Sequence, residues 1–240
     1  EAAVKGFQGD DGLEKELVLA CAKHFVGGSQ PVNGTNGAPA DLSERTLREV
    51  FFPPFDTCVK AGAMSFMMAH NELNGVPCHS NEWLMQDVLR RQMGFNGFIV
   101  SDWMDIEHLY DLHCTAVSNE DAFGQSVNAG MDMHMHGPAF VPAMMKLVED
   151  GVVSEARIDE SCRRILEIKF RLGLFENPFF DESAVKETLL AEEHKAVALD
   201  AARKSIVLLG NNGILPLTDG ARYKKIFVTG PNANSQGMMG

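Results

Sequence analysis

The chain has 240 residues, of which 45% are hydrophobic, and a formal net charge of −12. That length suffices for one large domain or one and a half small ones, and the acidic balance argues against nucleic acid or an anionic membrane surface as a partner. No apolar run approaches the roughly 20 residues of a membrane span. The five scattered cysteines lack C-x-x-C spacing, which excludes a disulfide framework or a zinc ribbon and favours small buried thiols.

The first quarter of the chain predicts a strand, a long loop and a helix. Residues 13–20 resemble the end of a helix that leads into a strand ending at 22–25. The Gly/Asn/Pro-rich stretch 27–40 is the longest polar segment, and its length makes it a candidate active-site loop. A helix should follow over 41–50, capped by its first Asp or Ser, and we expect Pro53-Pro54 to interrupt it.

The middle of the chain alternates apolar runs with amphipathic segments. Strands are expected at 63–69, 98–100 and 131–135, and helices at about 82–93, 121–129, 140–149 and 155–172. Together with the first strand, this makes four buried strands separated by helices of typical crossover length. The pattern predicts parallel βα units in an α/β fold.

Each of these four strands ends in polar or ionisable residues. The four tips are Lys23-His24, His70-Asn71, Asp102-Trp103 and His134 with His136. In a barrel the carboxyl ends of parallel strands converge on one face, so these residues should form a single site. Asp102 could instead cap the following helix, but the adjacent indole of Trp103 suits stacking on a ligand such as a sugar.

The pattern changes after residue 178. Residues 179–204 are polar and helical, typical of a linker, whereas 206–209 and 226–229 are short apolar runs that begin a new sheet. A sheet that short cannot bury its faces alone. We therefore expect a second α/β domain over 205–240 that is either cut short or completed by a partner.

Read together, these segments resemble glycoside hydrolase family 3, which contains β-glucosidases, β-xylosidases and β-N-acetylhexosaminidases. The matching phrases are Lys23-His24-Phe25, Asn74-Gly75-Val76-Pro77, Ser101-Asp102-Trp103, Ala129-Gly130-Met131-Asp132-Met133, Lys169-Phe-Arg-Leu-Gly-Leu-Phe175, Arg203-Lys204-Ser205-Ile206-Val207-Leu208-Leu209 and Val228-Thr-Gly-Pro-Asn232. They occur in order over nearly the whole chain. The resemblance implies the C-terminal half of a (β/α)8 TIM barrel over 1–178, followed by the start of an α/β sandwich domain.

The resemblance also implies roles for individual residues. The family's nucleophile corresponds to Asp102. The Lys-His pair that binds sugar hydroxyl groups in the family corresponds to Lys23 and His24, and the Trp of the family's sugar site corresponds to Trp103. At the position of His70 the family often has a Tyr that orients the nucleophile, and an imidazole can donate a similar hydrogen bond. The loop 27–40 lacks the Arg that many members carry there, and no hexosaminidase-type His loop is recognisable, so the resemblance favours glucosidase-like members.

The implied chemistry is a retaining, exo-acting hydrolysis of a β-glycoside, such as a β-linked oligosaccharide, through a covalent glycosyl-Asp102 intermediate. A retaining glycosidase needs a second acid roughly 5–5.5 Å from the nucleophile. In glucosidase-like members this is a Glu of the second domain, for which the chain offers no candidate, so the missing parts of both domains are expected partners. The resemblance implies no cofactor, and it favours a periplasmic or secreted location.

Two other functions are compatible with the residues. His134 and His136 lie two apart on a predicted strand and could face a metal together, with Asp102 and His70 as further ligands. That arrangement would make a metal-dependent barrel hydrolase. Alternatively, the chain could be a sugar-binding protein that keeps Lys23 and the other sugar contacts without catalysis.

Overall fold

The computed structural model describes residues 1–10, 13, 17–218, 220 and 225–235. The chain divides into two compact units, Glu1–Phe179 and Phe180–Gly240. The division lies one residue after 178, where the sequence pattern changes. The first unit contains every strand found in the described residues, and the second contains two helices.

A parallel sheet of three strands forms the centre of the first unit. The strands of the chain are β1 (Cys21–Phe25), β2 (Ser65–Met68), β3 (Glu72–Leu73), β4 (Val76–Pro77) and β5 (Phe98–Val100). The sheet order is β1-β2-β5, and both pairings are parallel. Phe66 is paired with Ile99 in the β2–β5 register. The three long strands are thus confirmed as parallel neighbours, so their carboxyl ends lie at the same edge.

Helices connect and cover these strands. They are α1 (Ala2–Gln8), α2 (Glu44–Thr46), α3 (Phe52–Lys60), α4 (His108–Asp111), α5 (Asn119–Ala129), α6 (Phe140–Glu149), α7 (Glu155–Arg171), α8 (Glu182–Thr188) and α9 (Glu192–Ser205). Leu47–Phe51 and Trp83–Gln92 are π-helical, and Val32–Gly34 and Cys78–Ser80 are 3-10 turns. None of the described helices is long and apolar enough to cross a membrane.

The two faces of the sheet bury different sets of side chains. Phe66 and Ile99 belong to the larger cluster, which the connecting helices cover. Met67 and Val100, which alternate with them, belong to a smaller cluster on the other face that includes Ile168 of α7. The alternation follows from the two-residue period of a strand, and it explains why these strands are nearly continuous hydrophobic runs.

The predicted helix starts are found, with one correction. Ser43, not Asp41, caps the first long helical segment, because its Oγ accepts a hydrogen bond from the backbone N–H of Thr46 at 3.1 Å. Pro53 and Pro54 do not interrupt this segment, since helix runs from Glu44 to Lys60 without a gap. Both prolines belong to α3, directly after the π-helical residues Leu47–Phe51.

Other strand and helix predictions were wrong. The expected fourth strand over 131–135 is only an isolated bridge between Met133 and Val100. The pairing does not continue beyond this bridge, because the N–H of Met135 donates to the Oγ of Ser101 instead of to a strand carbonyl. Residue 13 and residues 17–20 are not helical, and 14–16 lie outside the described residues.

The expected sheet of the second unit is likewise not formed in the part of the chain that is described. Residues 206–209 and 226–229 carry no ladder pairing there, although both are apolar. A strand needs a partner to satisfy its backbone groups, and these two find none among the described residues. Positions 236–240 of the expected domain lie outside them.

The cysteine prediction is only partly confirmed. Cys78 is buried, and burial raises the pKa of its thiol to about 12. Cys58 is partly buried, whereas Cys21, Cys114 and Cys162 are exposed. All five are free thiols.

A buried carboxylate, Asp132, ties three elements of the first unit together. Its side chain is fully buried. It accepts hydrogen bonds from Arg90 of the Trp83–Gln92 helix, from the backbone N–H of Ile99 in β5, and from Arg157, Ser161 and Arg164 of α7. A single side chain therefore fixes a helix, a strand and a second helix relative to one another.

Replacing Asp132 should strongly destabilise the first unit. Asp132→Asn removes the counter-charge of the buried guanidinium of Arg90 and leaves Arg157 and Arg164 paired with Glu160 only. Removing one partner of a buried ion pair typically costs about 3–5 kcal/mol. The matched control is Glu44→Gln, which breaks an exposed i,i+4 pair with Arg48 and should change stability by less than about 1 kcal/mol. Urea unfolding of both variants measures the difference. Equal stabilities would show that the Asp132 cluster contributes no more than a surface pair.

Gly97 marks a very close approach of two backbones. A Cβ at this position would lie 2.0 Å from the carbonyl oxygen of Met64 and 2.8 Å from the ring of Phe95. The oxygen of Met64 also accepts a hydrogen bond from the N–H of Phe98 at 3.2 Å, which starts the β2–β5 pairing. Only glycine leaves room for this contact at the entrance to β5.

We therefore expect Gly97→Ala to destabilise the protein by about 1–3 kcal/mol, as overpacking of a rigid site does. Gly6→Ala is the matched control, because Gly6 lies inside α1 and a Cβ there meets nothing within 4 Å. That change should be neutral or stabilise the helix by roughly 0.5–1 kcal/mol. Thermal unfolding of the two variants distinguishes the cases, and a stable Gly97→Ala protein would contradict the steric argument.

Candidate active site at the carboxyl edge of the parallel sheet

Asp102 lies directly beyond the carboxyl end of β5. Its neighbour Ser101 is fully buried and joins the strand end to the following segment. The N–H of Ser101 donates to the carbonyl of Met133 at 2.9 Å, and its Oγ accepts from the N–H of Met135 at 2.9 Å. These two bonds hold the chain in place immediately before the carboxylate.

Two imidazoles converge on one oxygen of Asp102. The Nε2 atom of His24 and the Nε2 atom of His70 each lie 3.1 Å from its Oδ2. The other oxygen, Oδ1, accepts a hydrogen bond of 2.6 Å from the backbone N–H of Trp103. The tips of β1, β2 and β5 thus meet at one carboxylate, as the topology of a parallel sheet predicts.

The surroundings of Asp102 favour its charged form. Burial alone raises the pKa of this carboxyl, but the N–H of Trp103 and the charges of His70, His24 and Lys23 outweigh that effect. The net result is a pKa below the usual value for Asp, so the group is a carboxylate at neutral pH. The pKa of His24 is lowered, chiefly by burial and then by the charge of Lys23.

A second layer of ionisable groups lies behind this contact. Asp105, of whose side chain only 4% is exposed, places its Oδ2 2.6 Å from Nδ1 of His70 and 3.7 Å from Nδ1 of His79. Burial raises the pKa of Asp105, which the charge of His70 partly offsets. His79 accepts a hydrogen bond from the backbone N–H of Asp102 through Nε2 at 3.0 Å. Complete burial lowers the pKa of His79 to about 3, so it is a neutral acceptor.

Lys23 and Trp103 lie near the carboxylate of Asp102 and have different contacts. The Nζ of Lys23 lies 4.0 Å from the Sδ of Met67, and its charge acts on Asp102 without a direct bond. The indole of Trp103 is stacked on the imidazole of His136, with ring centroids 3.8 Å apart and planes inclined by 14°. Trp103 nevertheless remains 56% exposed, so a ligand can still reach it.

The two histidines of the fourth predicted strand tip contact different partners. His134 pairs with Glu107 at 3.1 Å and is stacked on the ring of Phe140, whereas His136 packs on Trp103. Among the described residues, neither belongs to a group of three possible metal ligands. The structure therefore does not bring His134 and His136 together as a metal site.

The long loop 27–40 lines a cavity beside these strand tips. The cavity has a volume of about 430 Å³ and is bounded by Lys23, His24, Gly27, Gly28, Asn36, Gly37, Phe51, Phe55, His70 and Asn71, among others. The far end of the loop is tied to the β3–β4 hairpin, since the N–H of Ala40 donates to the carbonyl of Glu72 and the N–H of Asn74 to that of Ala40. Asn74 and Gly75 form the turn of this hairpin, both with positive φ.

Sequence reasoning missed two members of the site, His79 and Asp105. Asp105 lies three residues after Asp102 in a non-helical turn, and His79 lies in the short 3-10 turn Cys78–Ser80. Neither position follows a predicted strand, so the rule that located the other residues does not apply to them. The one available signal was the density of ionisable groups in the segment Ser101 to Asp105.

The buried His79 should make stability depend on pH. Its folded pKa of about 3 lies below the unfolded value of roughly 6.5, so the unfolded chain takes up the proton first. Its neutral form therefore contributes stability that is fully present above about pH 6.5 and is lost as the pH falls toward 3. The limiting slope is about 1.4 kcal/mol per pH unit.

We expect His79→Gln to have a shallower pH dependence of the free energy of unfolding between about pH 6 and 4, by up to that slope. His194→Gln, which replaces an exposed histidine, should leave the slope unchanged. Urea titrations at several pH values measure both. A wild-type slope in His79→Gln would show that His79 is protonated in the folded protein.

Comparison with known proteins identifies the family. The family model described as "Glycosyl hydrolase family 3 N terminal domain" matches residues 2–168. A β-xylosidase of Formosa agariphila is 39% identical over 98% of this chain and 34% of its own length, and a lysosomal β-glucosidase of Dictyostelium discoideum is 39% identical over 98% of this chain and 30% of its own. The chain thus spans about a third of the length of these curated relatives.

Solved structures of β-glucosidases also match this chain. A β-glucosidase of Listeria innocua, crystallised with glucose, superposes with a TM-score of 0.83 at 33% identity, covering 90% of this chain and 30% of that one. EmGH1, a β-glucosidase of Erythrobacter marinus, gives a TM-score of 0.84 at 36% identity over 88% of this chain and 28% of that one. The parallel sheet and its helices therefore form a TIM-barrel-like α/β fold, and the chain belongs to glycosyl hydrolase family 3.

Proposed function

We propose that this chain is part of a retaining, exo-acting β-glycoside hydrolase of the β-glucosidase type, in which Asp102 is the nucleophile. The observation that carries the proposal is the ionised carboxylate at the end of β5, which two imidazoles and a backbone N–H hold in one orientation. A nucleophilic carboxylate must be both charged and fixed. Asp102 meets both requirements at the edge where barrel enzymes carry out their chemistry.

In the proposed mechanism, an oxygen of Asp102 attacks the anomeric carbon from the face opposite the leaving group. The glycosidic bond breaks as a glycosyl ester forms, and the leaving oxygen takes a proton from a general acid. Water then hydrolyses the ester, giving up its proton to the same group, which now acts as base. We assign this acid/base to a residue outside this chain, in a second domain.

Lys23, His24, His70 and Trp103 are proposed to bind the sugar. Lys23 and His24 border the cavity under the loop 27–40, and they offer a cation and an imidazole to sugar hydroxyl groups. His70 also orients Asp102, and the exposed indole of Trp103 offers an apolar surface beside the nucleophile. The names of relatives, β-glucosidase and β-xylosidase, support a β-linked glucoside or a related sugar as the substrate.

We also propose that residues 1–178 are the C-terminal half of the TIM-barrel domain, with 179–204 as a linker and 205–240 as the beginning of an α/β sandwich domain. Three parallel strands and the bridge at Met133 support the first assignment. On this proposal, the rest of the barrel and of the second domain completes the site.

The direct test of the function is covalent labelling of Asp102. Incubation with a 2,4-dinitrophenyl 2-deoxy-2-fluoro-β-glucoside should give a one-sugar adduct on the peptide containing Asp102, because this leaving group departs without protonation. Intact-mass and peptide mass spectrometry measure the adduct. Asp102→Asn should give none, whereas Asp111→Asn, which changes an exposed carboxylate paired with His108, should be labelled like the wild type.

Azide rescue separates a nucleophile from a merely structural carboxylate. In Asp102→Gly, azide can occupy the vacated space and attack a dinitrophenyl β-glucoside, so we expect release of an α-glucosyl azide. A folded protein that contains the complete barrel and second domain and is neither labelled nor rescued would contradict the assignment of Asp102 for glucosides. Specific glucose binding by such a protein would instead support the sugar-binding alternative.

A further inference from the structure

The contacts around Asp102 form a set of metal ligands. Its Oδ2 and the Nε2 atoms of His24 and His70 all lie within 4.8 Å of one another, which no other trio of His, Cys, Asp or Glu side chains in the described ranges achieves. Two imidazole nitrogens and one carboxylate oxygen are a donor set that suits Zn²⁺. We propose that His24, His70 and Asp102 form a Zn²⁺ site that blocks the candidate nucleophile.

The second layer supports this assignment. Metal-binding histidines usually donate their other ring N–H to a carboxylate, which fixes the tautomer and aims the lone pair at the metal. A carboxylate lies behind His70 in this way, since Oδ2 of the buried Asp105 is 2.6 Å from Nδ1 of His70.

Distances and access are also suitable. With ligands about 2.0–2.1 Å from the metal, neighbouring ligand atoms of a tetrahedral site are roughly 3.3 Å apart, close to the two separations of 3.1 Å found here. The side chains of His24 and His70 are about one-third exposed, so the imidazoles can turn toward an ion arriving from solvent. The charge of Lys23 opposes a cation, whereas the carboxylates of Asp102 and Asp105 favour it.

Bound Zn²⁺ would act as an inhibitor and not as a cofactor. Coordination through Oδ2 engages the oxygen that is closest to both imidazoles and withdraws electron density from the carboxylate. It also places the ion where the sugar has to approach. This consequence rests on the proposed function of Asp102, whereas zinc binding itself does not.

Zinc affinity of the protein can be measured by competition with a chromophoric zinc chelator at neutral pH. We expect one equivalent to bind, and we expect His70→Tyr, which removes a nitrogen ligand but keeps a hydrogen-bond donor, to weaken binding at least 100-fold. Asp105→Asn should weaken it by about 10–100-fold, the usual effect of losing a carboxylate behind a histidine ligand. His108→Gln is the control, because it breaks a His–Asp pair outside the trio and should leave affinity within twofold.

Labelling with the fluoroglucoside provides an independent readout. Zn²⁺ should slow the labelling of wild-type Asp102 in proportion to its occupancy. In His70→Tyr the ratio of the labelling rates with and without Zn²⁺ should approach one, whatever the rate of this variant without the ion. Wild-type affinity in folded His70→Tyr and Asp105→Asn, or the absence of zinc binding, would overturn the site. Suppose that a protein containing the complete barrel and second domain binds zinc through His70 but is never labelled. That result would keep the metal site and reject the glycosidase proposal.

Discussion

The fold of the first unit depends on the buried carboxylate of Asp132. It accepts hydrogen bonds from two helices and from the backbone of β5, and a charge without exposure to water is tolerated only with such partners. Its bond to the N–H of Ile99 fixes β5 only three residues before Asp102. Burial lowers the pKa of Arg90 to about 10, although the charge of Asp132 partly offsets this effect. Asp132 and its partners therefore hold in place the strand that leads directly to the candidate site.

Much of the site could be predicted from strand ends. Asp102 and His70 each follow a buried apolar run, whereas His24 lies near the end of β1, whose residues are mostly exposed or partly buried. Parallel strands bring their carboxyl ends to one edge, so three residues far apart in sequence had to meet. The strand predicted at 98–100 was also correct, because a short, partly β-branched apolar run after a glycine is typical of a buried strand. These are predictions in which local pattern and topology agree.

The remaining features depend on contacts that a one-dimensional pattern does not contain. His79 and Asp105 lie in turns, and only the folded chain reveals that one accepts the N–H of Asp102 and the other faces His70. The expected strand at 131–135 does not form, because the N–H of Met135 donates to the hydroxyl of Ser101 and not to a neighbouring strand. His134 and His136 have the spacing of a shared site, but His134 pairs with Glu107 and His136 stacks on Trp103.

The attachment of the loop 27–40 has an evolutionary consequence. Its first residues leave β1 beside Asn71, whose Nδ2 reaches the carbonyl of Val26, and its last residue is bonded to the small hairpin that follows β2. Because both ends are anchored independently of what lies between them, the interior can change in length and composition without moving His24 or His70. Selection can thus vary what the cavity accommodates while the geometry around the carboxylate stays constant, which separates the diversification of specificity from the preservation of chemistry.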